Sequence, residues 1–516
     1  MKMRYITTPL YYVNAAPHIG HAYTTLAADI LTRYKRGRGE PVQLLTGTDE
    51  HGSKIEEAAD AAGLKPLEYA DKIVAEFKTL WTHLNIEYDD FIRTTEKRHT
   101  SRVQAVFAHL QSTGDIYKGV YKGYYCIACE TYWTETEAPE NEDGTRYCQN
   151  QGCGKELTLT EEESFFFKLS KYGPPLLKHY QNNPGFLQPP HRAKEIVNFV
   201  KEGLHDLAVS RTKVAWGVGV LSDPEHVVYV WFDALLNYLT ATGYVPPGMP
   251  EDDEPQRYAQ LWPADVHFVG KEIYRFHTVT WPAMLLALGV PLPVSVFAHG
   301  WWTVEGQKMS KSKNNFVDPR ELTKDYGVDA FRYFLFREMP FGNDGNFSKD
   351  TFRQRYNSEL ANDFGNLVSR TTNMVDKYLA GELPENPTNA CVKVAEEILN
   401  KSGAYDNAMK TMALQEALDI VWSGIRRLNE YINETQPWKM AKADPESVAP
   451  ILFDLVTSLR LIGGWLSPFM PQTASRLAAM LGLEKFPNAV TLEDLLNAPR
   501  GAKIGKSPAL FPRMED

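Results

Sequence analysis

The sequence has no excess of basic residues. Lysine and arginine total 55 against 65 aspartates and glutamates, a formal net charge of −10 over 516 residues. That excludes a protein coated in positive charge, so any nucleic-acid partner must be met by a local basic track. A clean membrane-spanning run is also missing. The apolar stretch from Trp281 to Ala298 is interrupted by Pro282, Pro291 and Pro293, and no membrane partner is expected. No charged-then-apolar leader opens the chain, because Met1-Lys2-Met3-Arg4 runs straight into a strand pattern. A cytoplasmic location is the expectation. The P-loop pattern G-x4-G-K-S/T is absent, which excludes that class of ATPase. Cysteine is scarce, with five residues in all and none before Cys126.

What is present suffices for several folded domains. A hydrophobic share of 43% excludes wholesale disorder, and the length predicts three or four domains. Tyr5-Ile6-Thr7-Thr8 reads as a buried strand ending at Pro9. Pro17-His18-Ile19-Gly20-His21 follows, and then Ala22, Leu26, Ile30 and Tyr34 recur at helical spacing until Gly37 and Gly39. His18 and His21 therefore stand at a strand-to-helix turn, where free N–H groups and the positive helix end favour phosphate. Two imidazoles there could donate to an anion; equally, one could cap the turn while the other is solvated.

A second strand, Val42 to Leu45, leads into Thr46-Gly47-Thr48-Asp49-Glu50-His51-Gly52. Asp49 stands where doubly wound sheets keep ligand-binding residues and could hold an ammonium group, or cap the helix starting near Ser53. Helices are predicted from Ser53 to Ala62 and from about Leu67 to Leu84. This alternation argues for a parallel sheet. Further on, strand Val266 to Val269 delivers Gly270 and Glu272, and Val294 to Phe297 delivers His299. Glu272 could accept from ribose hydroxyls. An apolar strand, Val227 to Val230, is expected to rejoin the main fold and to lead into a helix on which Trp231, Ala234, Leu235 and Tyr238 share one face. After a hairpin-like turn at Val304-Glu305-Gly306 comes Lys308-Met309-Ser310-Lys311-Ser312, a cationic arm suited to pyrophosphate.

Cys126 and Cys129, then Cys148 and Cys153 after eighteen intervening residues, lie in one turn-rich segment. Close-spaced cysteine pairs in a cytosolic chain read as a tetrahedral, structural Zn²⁺ site. Cys391, far away, reads as a buried thiol. From Ser348 to about Leu481 helical periodicity dominates, predicting an α-helical bundle. In it, Asn366 and Arg370 are four apart on one helix face, and Trp438 after Pro437 could stack on an unpaired base.

The Pro-His-Ile-Gly-His and Lys-Met-Ser-Lys-Ser sequences resemble the two signatures of class I aminoacyl-tRNA synthetases. Together with Thr48 to Gly52, the cysteine-bearing insertion, Val230-Trp231-Phe232-Asp233-Ala234, His299-Gly300-Trp301 and Asn433 to Trp438, the chain resembles the methionyl-tRNA synthetase family over nearly its whole length. The resemblance implies an α/β fold: a Rossmann-type doubly wound parallel sheet with a zinc-bearing insertion, followed by a helical anticodon-binding bundle. The implied divisions are a catalytic domain at 1–115 and 227–322, an insertion at 116–226, a linking segment at 323–347, the bundle at 348–490 and a tail at 491–516. It implies a methionine pocket of Leu10, Tyr12, Trp231, Ala234, Leu235, Tyr238 and His299, with Asp49 on the amino group. ATP would meet His18, Gly20, His21 and Glu272, and its pyrophosphate Lys308 and Lys311, with Mg²⁺ accompanying it. His18, His21, Lys308 and Lys311 would carry the catalysis. Asn366, Arg370 and Trp438 would read the anticodon of tRNA(Met), initiator and elongator alike. Leu235 departs from the proline common in the family.

A thioether suits aromatic walls, since sulfur–aromatic contacts add about 0.3–1.5 kcal/mol. The cysteine enzymes of this class look as though they need thiol ligands beside the histidine motif, and none precedes Cys126. The isoleucine, valine and leucine enzymes resemble longer chains with a large editing insertion, needed because one methylene discriminates by only ~1–3 kcal/mol. A synthetase of another specificity and a non-catalytic tRNA-binding relative remain as rivals. Some members carry a further C-terminal dimerising domain, and its absence here predicts a monomer.

Overall fold

The computed structural model describes residues 2–128, 131–133, 135–141, 143–150, 153–250, 255–304, 306–308, 317–383, 392–486, 491, 493, 503–504 and 508–514. The chain divides into two compact units. The first comprises Met1–Pro17, Val42–Thr82 and Glu87–His299; the second comprises His18–Pro41, His83–Ile86 and Gly300–Asp516.

Six parallel strands form the centre of the first unit, in the order Asp90–Arg93, Val42–Asp49, Arg4–Tyr12, Val266–Gly270, Val296–His299 and Leu187–Gln188. Val42–Asp49 and Val266–Gly270 are buried along their whole lengths, as strands of a parallel sheet covered on both faces are, although Gln43, Thr46, Thr48, Asp49 and His267 interrupt their apolar residues. The strand order reverses between Arg4–Tyr12 and Val266–Gly270, and ligands of such sheets bind outside the carboxyl ends at that point. The first strand does not end at Pro9 but runs to Tyr12. Its register against Val42–Asp49 shifts between Thr7 and Leu10, so the proline, which has no N–H to give, sits in a bulge.

The expected insertion holds two antiparallel sheets. Ile116–Cys126 pairs with Thr131–Trp133 and Thr158–Phe167, and Leu207–Ala208 pairs with the latter. Asp223–Val228 pairs with Gly219–Val220 and Ser210–Arg211, so the strand expected over Val227 to Val230 ends at Val228 in a small sheet of its own, and Val230 already starts the next helix. Conversely, Leu187–Gln188, from within the insertion, supplies an edge strand of the central sheet.

In the second unit, helix Ile19–Gly37 ends at the glycine predicted to stop it. Trp302–Val304 pairs with Gln307–Lys308 across a turn at Gly306 (φ +73°), and with Gly345–Phe347. Asp318 caps Pro319–Tyr326 through the Arg320 N–H, and Val328–Arg337 follows Gly327. The bundle is built from helices that include Asn366–Leu379, Leu414–Thr435, Ala449–Leu466 and Pro471–Met480. One helical stretch, Pro445–Leu466, is long and apolar enough to cross a membrane by length and composition, and is more continuous than the Trp281 to Ala298 run. Its window is 78% buried, as befits the bundle's core helix.

Candidate active site

Strand register brings together the candidate residues of the first unit. Leu10 lies opposite Gly47 and Tyr12 opposite Asp49 on neighbouring strands, and Gly270 lies opposite His299. Tyr12, Asp49, Gly270 and His299 thus all stand at carboxyl ends of the central sheet. Asp49 and His299 are buried at 4% and 5% exposure, and Glu272 follows on an exposed turn. A Cβ on Gly270 would come within 2.5–2.7 Å of the Glu272 carboxylate, so only glycine lets that side chain fold back there. The N-cap of the helix after Asp49 is Gly52.

The loop carrying Asp49 is held by its neighbours. Glu50, fully buried, accepts two hydrogen bonds from Arg93 at 2.6 and 2.9 Å and one each from Thr48 and Thr95. Trp216 donates its indole N–H to the Glu50 carbonyl, and its own carbonyl accepts from Gly52 at 3.1 Å.

Helices Val230–Leu235 and Asn237–Thr240 carry the expected aromatic face. Ala234, Leu235 and Tyr238 are buried, while Trp231 is half-buried and stacks on Phe276, ring centroids 4.0 Å apart and 3° from parallel. Phe276 opens a π-helical turn, Phe276–Thr280, whose next residue backs Tyr238. His277 Nδ1 faces the Ile273 carbonyl at 2.9 Å and so carries the proton. Its Nε2, 2.7 Å from the Tyr238 hydroxyl, then accepts. Burial holds His277 down at about 4, which keeps the ring neutral and this direction of donation intact.

In the second unit, His18 is the N-cap of helix Ile19–Gly37. Its Nδ1 accepts from the Gly20 N–H at 3.0 Å, and His21 Nδ1 accepts from the His18 N–H at 3.1 Å. The rings stack with centroids 3.8 Å apart. A Cβ on Gly20 would meet the His18 ring at 2.8 Å, so a larger residue there would have to displace the ring from its capping position. With both Nδ1 atoms accepting, the neutral tautomers place the proton on Nε2 of each ring. Desolvation pushes His18 down to about 4 and lowers His21 in the same sense. Capping thus sets the tautomer: each neutral ring accepts at Nδ1 and carries its proton on Nε2. Lys308 is described in its backbone pairing with Thr303, while Lys311 lies outside the described residues.

Asn366 is exposed at the start of Asn366–Leu379, and Arg370 one turn later lies 5.7 Å from the Trp438 ring, itself 36% exposed. Arg370 and Trp438 thus form one cation–π pair.

The sulfurs of Cys126, Cys148 and Cys153 lie within 4.8 Å of one another, and those of Cys126 and Cys153 are 3.6 Å apart. That is too long for a disulfide, and close to the ~3.8 Å edge of a tetrahedron with Zn–S bonds of about 2.3 Å. The donor set fits zinc. Cys129 and Cys391 lie outside the described residues.

Sequence reasoning gave no role to His51, His99, Phe276 or Asp233. Two of these had a visible signal: His51 is two residues beyond Asp49, and Asp233 stands between Trp231 and Ala234.

Comparison with known proteins bears on the whole chain. The pattern of tRNA synthetases class I (M) matches residues 4–372, and that of the anticodon binding domain of methionyl tRNA ligase matches 384–516. A methionine–tRNA ligase of Caldanaerobacter subterraneus is 48% identical over 100% of this chain and 79% of its own length; one of Streptomyces coelicolor is 46% identical over 100% and 97%. The solved Mycobacterium tuberculosis methionyl-tRNA synthetase in complex with methionyl-adenylate superposes with a TM-score of 0.91 at 38% identity, covering 99% of this chain and 100% of that one. A parallel sheet, a helical C-terminal region and full-length matches of this identity have one reading: the chain belongs to the methionyl-tRNA synthetase family of class I tRNA synthetases.

Proposed function

We propose that this chain is a methionine–tRNA ligase. Methionine's carboxylate attacks the α-phosphate of ATP, giving methionyl-adenylate and pyrophosphate, and the 3′-terminal adenosine hydroxyl of tRNA(Met) then takes the methionyl group. The observation that carries this reading is the buried Asp49 at the sheet's carboxyl edge, in register with Tyr12, in a chain of this family. A buried carboxylate pairs well with an ammonium group, which sets the amino acid's orientation.

Trp231, Ala234, Leu235 and Tyr238, with Leu10, Tyr12 and His299, receive the side chain. Glu272 takes the ribose. His18 and His21 donate from Nε2 to the phosphates, Gly20 permits that geometry, and Lys308 and Lys311 take the pyrophosphate. No protein nucleophile is needed, so catalysis rests on positioning and on donors aimed at developing charge. Mg²⁺ bound with ATP would neutralise phosphate charge. Cys126, Cys148 and Cys153, with Cys129 as fourth ligand, would hold one structural Zn²⁺. Asn366, Arg370 and Trp438 read the anticodon of initiator and elongator tRNA(Met).

The working divisions are 1–115 and 227–322 for catalysis, 116–226 for the insertion, 323–347 for the link, 348–490 for the bundle and 491–516 for the tail. One chain carries both the catalytic and the anticodon-binding pattern, so a cytoplasmic monomer suffices. The test is amino-acid-dependent ATP–pyrophosphate exchange across the twenty amino acids. Exchange with methionine alone supports the reading, exchange with another amino acid replaces the specificity, and no exchange leaves a tRNA-binding relative.

A further inference from the structure

A buried chain of hydrogen bonds runs beside the assigned residues and shares none of them. His51 Nδ1 lies 2.7 Å from Asp233 Oδ2, and His99 Nε2 lies 2.8 Å from Asp233 Oδ1. His99 Nδ1 meets the Thr240 hydroxyl at 2.7 Å. Exposure is 5% for His51 and zero for His99 and Asp233. Burial alone would raise the Asp233 carboxyl, yet His51 and His99 outweigh it and hold the group at about 2. An ionised carboxylate only accepts, so each ring nitrogen facing it donates, and both rings are locked in orientation.

The three side chains come from three elements. Asp233 is on Val230–Leu235, between Trp231 and Ala234; His51 closes the loop that presents Asp49; His99 is on helix Lys97–Ser112. One carboxylate therefore ties the loop of the ammonium-binding aspartate to the helix of the side-chain wall, and anchors both to a third element. The same loop is also held by Arg93 on Glu50 and by Trp216, whose ring lies edge-on to His51 with centroids 5.5 Å apart. Removing the carboxylate releases the His51 and His99 rings and leaves the bonds to Glu50 and Gly52 in place.

We propose that Asp233, acting through His51 and His99, is a positioning residue for methionine: it sets the spacing between the Asp49 carboxylate and the Trp231–Ala234–Leu235 wall. This rests on the methionine-ligase reading. An amino acid gripped at both its ammonium and its side-chain end senses that spacing, whereas ATP does not.

The test uses the full chain in methionine-dependent ATP–pyrophosphate exchange. Asp233→Asn keeps the volume but places an amide N–H against one donating ring. It should raise the methionine KM about tenfold or more, the scale on which small misplacements act, and leave the ATP KM within about twofold. A second pair guards against a folding defect. His51→Asn keeps a donor near Nδ1 and should retain the wild-type methionine KM, whereas His51→Ala should raise it as Asp233→Asn does. Equal rises in both KM values, an unchanged methionine KM in Asp233→Asn, or identical behaviour of the two His51 variants overturns the proposal. Failure of the wild-type chain to exchange with methionine would instead overturn the parent reading.

Discussion

The Arg332 guanidinium and the Asp29 carboxylate meet at 2.6 Å with neither side chain exposed to solvent. Arg332 also donates to the carbonyls of Phe469 at 2.9 Å, Pro468 at 3.0 Å and Leu84 at 3.2 Å, while Asp29 accepts from Arg33 at 2.8 Å. The helix that begins with the histidine motif is thereby bonded to the loop before the last bundle helix. Breaking a buried pair leaves an uncompensated charge, so Arg332→Met should cost ~3–5 kcal/mol of unfolding free energy, read as a lower urea midpoint. Adding Asp29→Asn should return part of that loss, because it removes the buried carboxylate whose guanidinium partner is gone.

His21→Ala removes one of two neutral donors and the acceptor of the His18 N–H. Methionyl-adenylate formation should fall about 10²–10³-fold, the scale for losing one transition-state donor. Single-turnover measurement at saturating methionine isolates this step. A wild-type rate would remove His21 from the machinery.

Acid should begin to destabilise the protein above the ordinary carboxylate range. His18 and His277 are held at about 4 by burial against an ordinary value of 6.5, and His21 and His267 are pushed the same way. The unfolded chain then binds protons that the folded chain refuses. This contribution is full above about 6.5 and is lost as pH falls towards about 4. Asp454, raised to about 6 by burial, acts oppositely below that value and offsets part of the loss. Urea midpoints at constant ionic strength should decline from pH 7 to pH 5; a rising midpoint would refute the assignment.

Metal analysis of the purified chain should return about one zinc per molecule, the stoichiometry of a single four-ligand site. Cys148→Ala should abolish retention and open the segment between 126 and 153 to proteolysis, while methionine-dependent exchange persists. Stoichiometric zinc in that variant would place the metal elsewhere.

Trp438→Ala should leave pyrophosphate exchange untouched and lower kcat/KM for tRNA aminoacylation. Losing a base-stacking platform costs about 1–3 kcal/mol, or roughly 5–150-fold. Arg370, 5.7 Å above the ring, should show a similar pattern when replaced by alanine.

Much of this was legible before the fold was known, for identifiable reasons. Helix Ile19–Gly37 announces itself through apolar residues at helical spacing and glycines at its end, and Asp318-Pro319 and Gly327 mark helix starts by local rules. Other features escaped the same rules. Pro9 read as a strand end, because whether a proline breaks a strand or sits in its bulge depends on the neighbouring strand's register. Leu187–Gln188 is two residues long and carries no periodicity. Val227 looked like a strand and is one, but local pattern cannot say which sheet accepts its hydrogen bonds.

By itself, then, the sequence determined the residue types at the turn, the loop and the cysteine pairs, and the order in which strands and helices follow. Those depend on side-chain chemistry and on contacts a few residues apart. Only the tertiary structure decided which groups meet: Asp233 with His51 and His99, at separations of 182 and 134 residues, and Arg332 with Asp29 at 303. Charge pairing, tautomer and desolvation are properties of what surrounds a group, and that surrounding exists only once distant segments have packed.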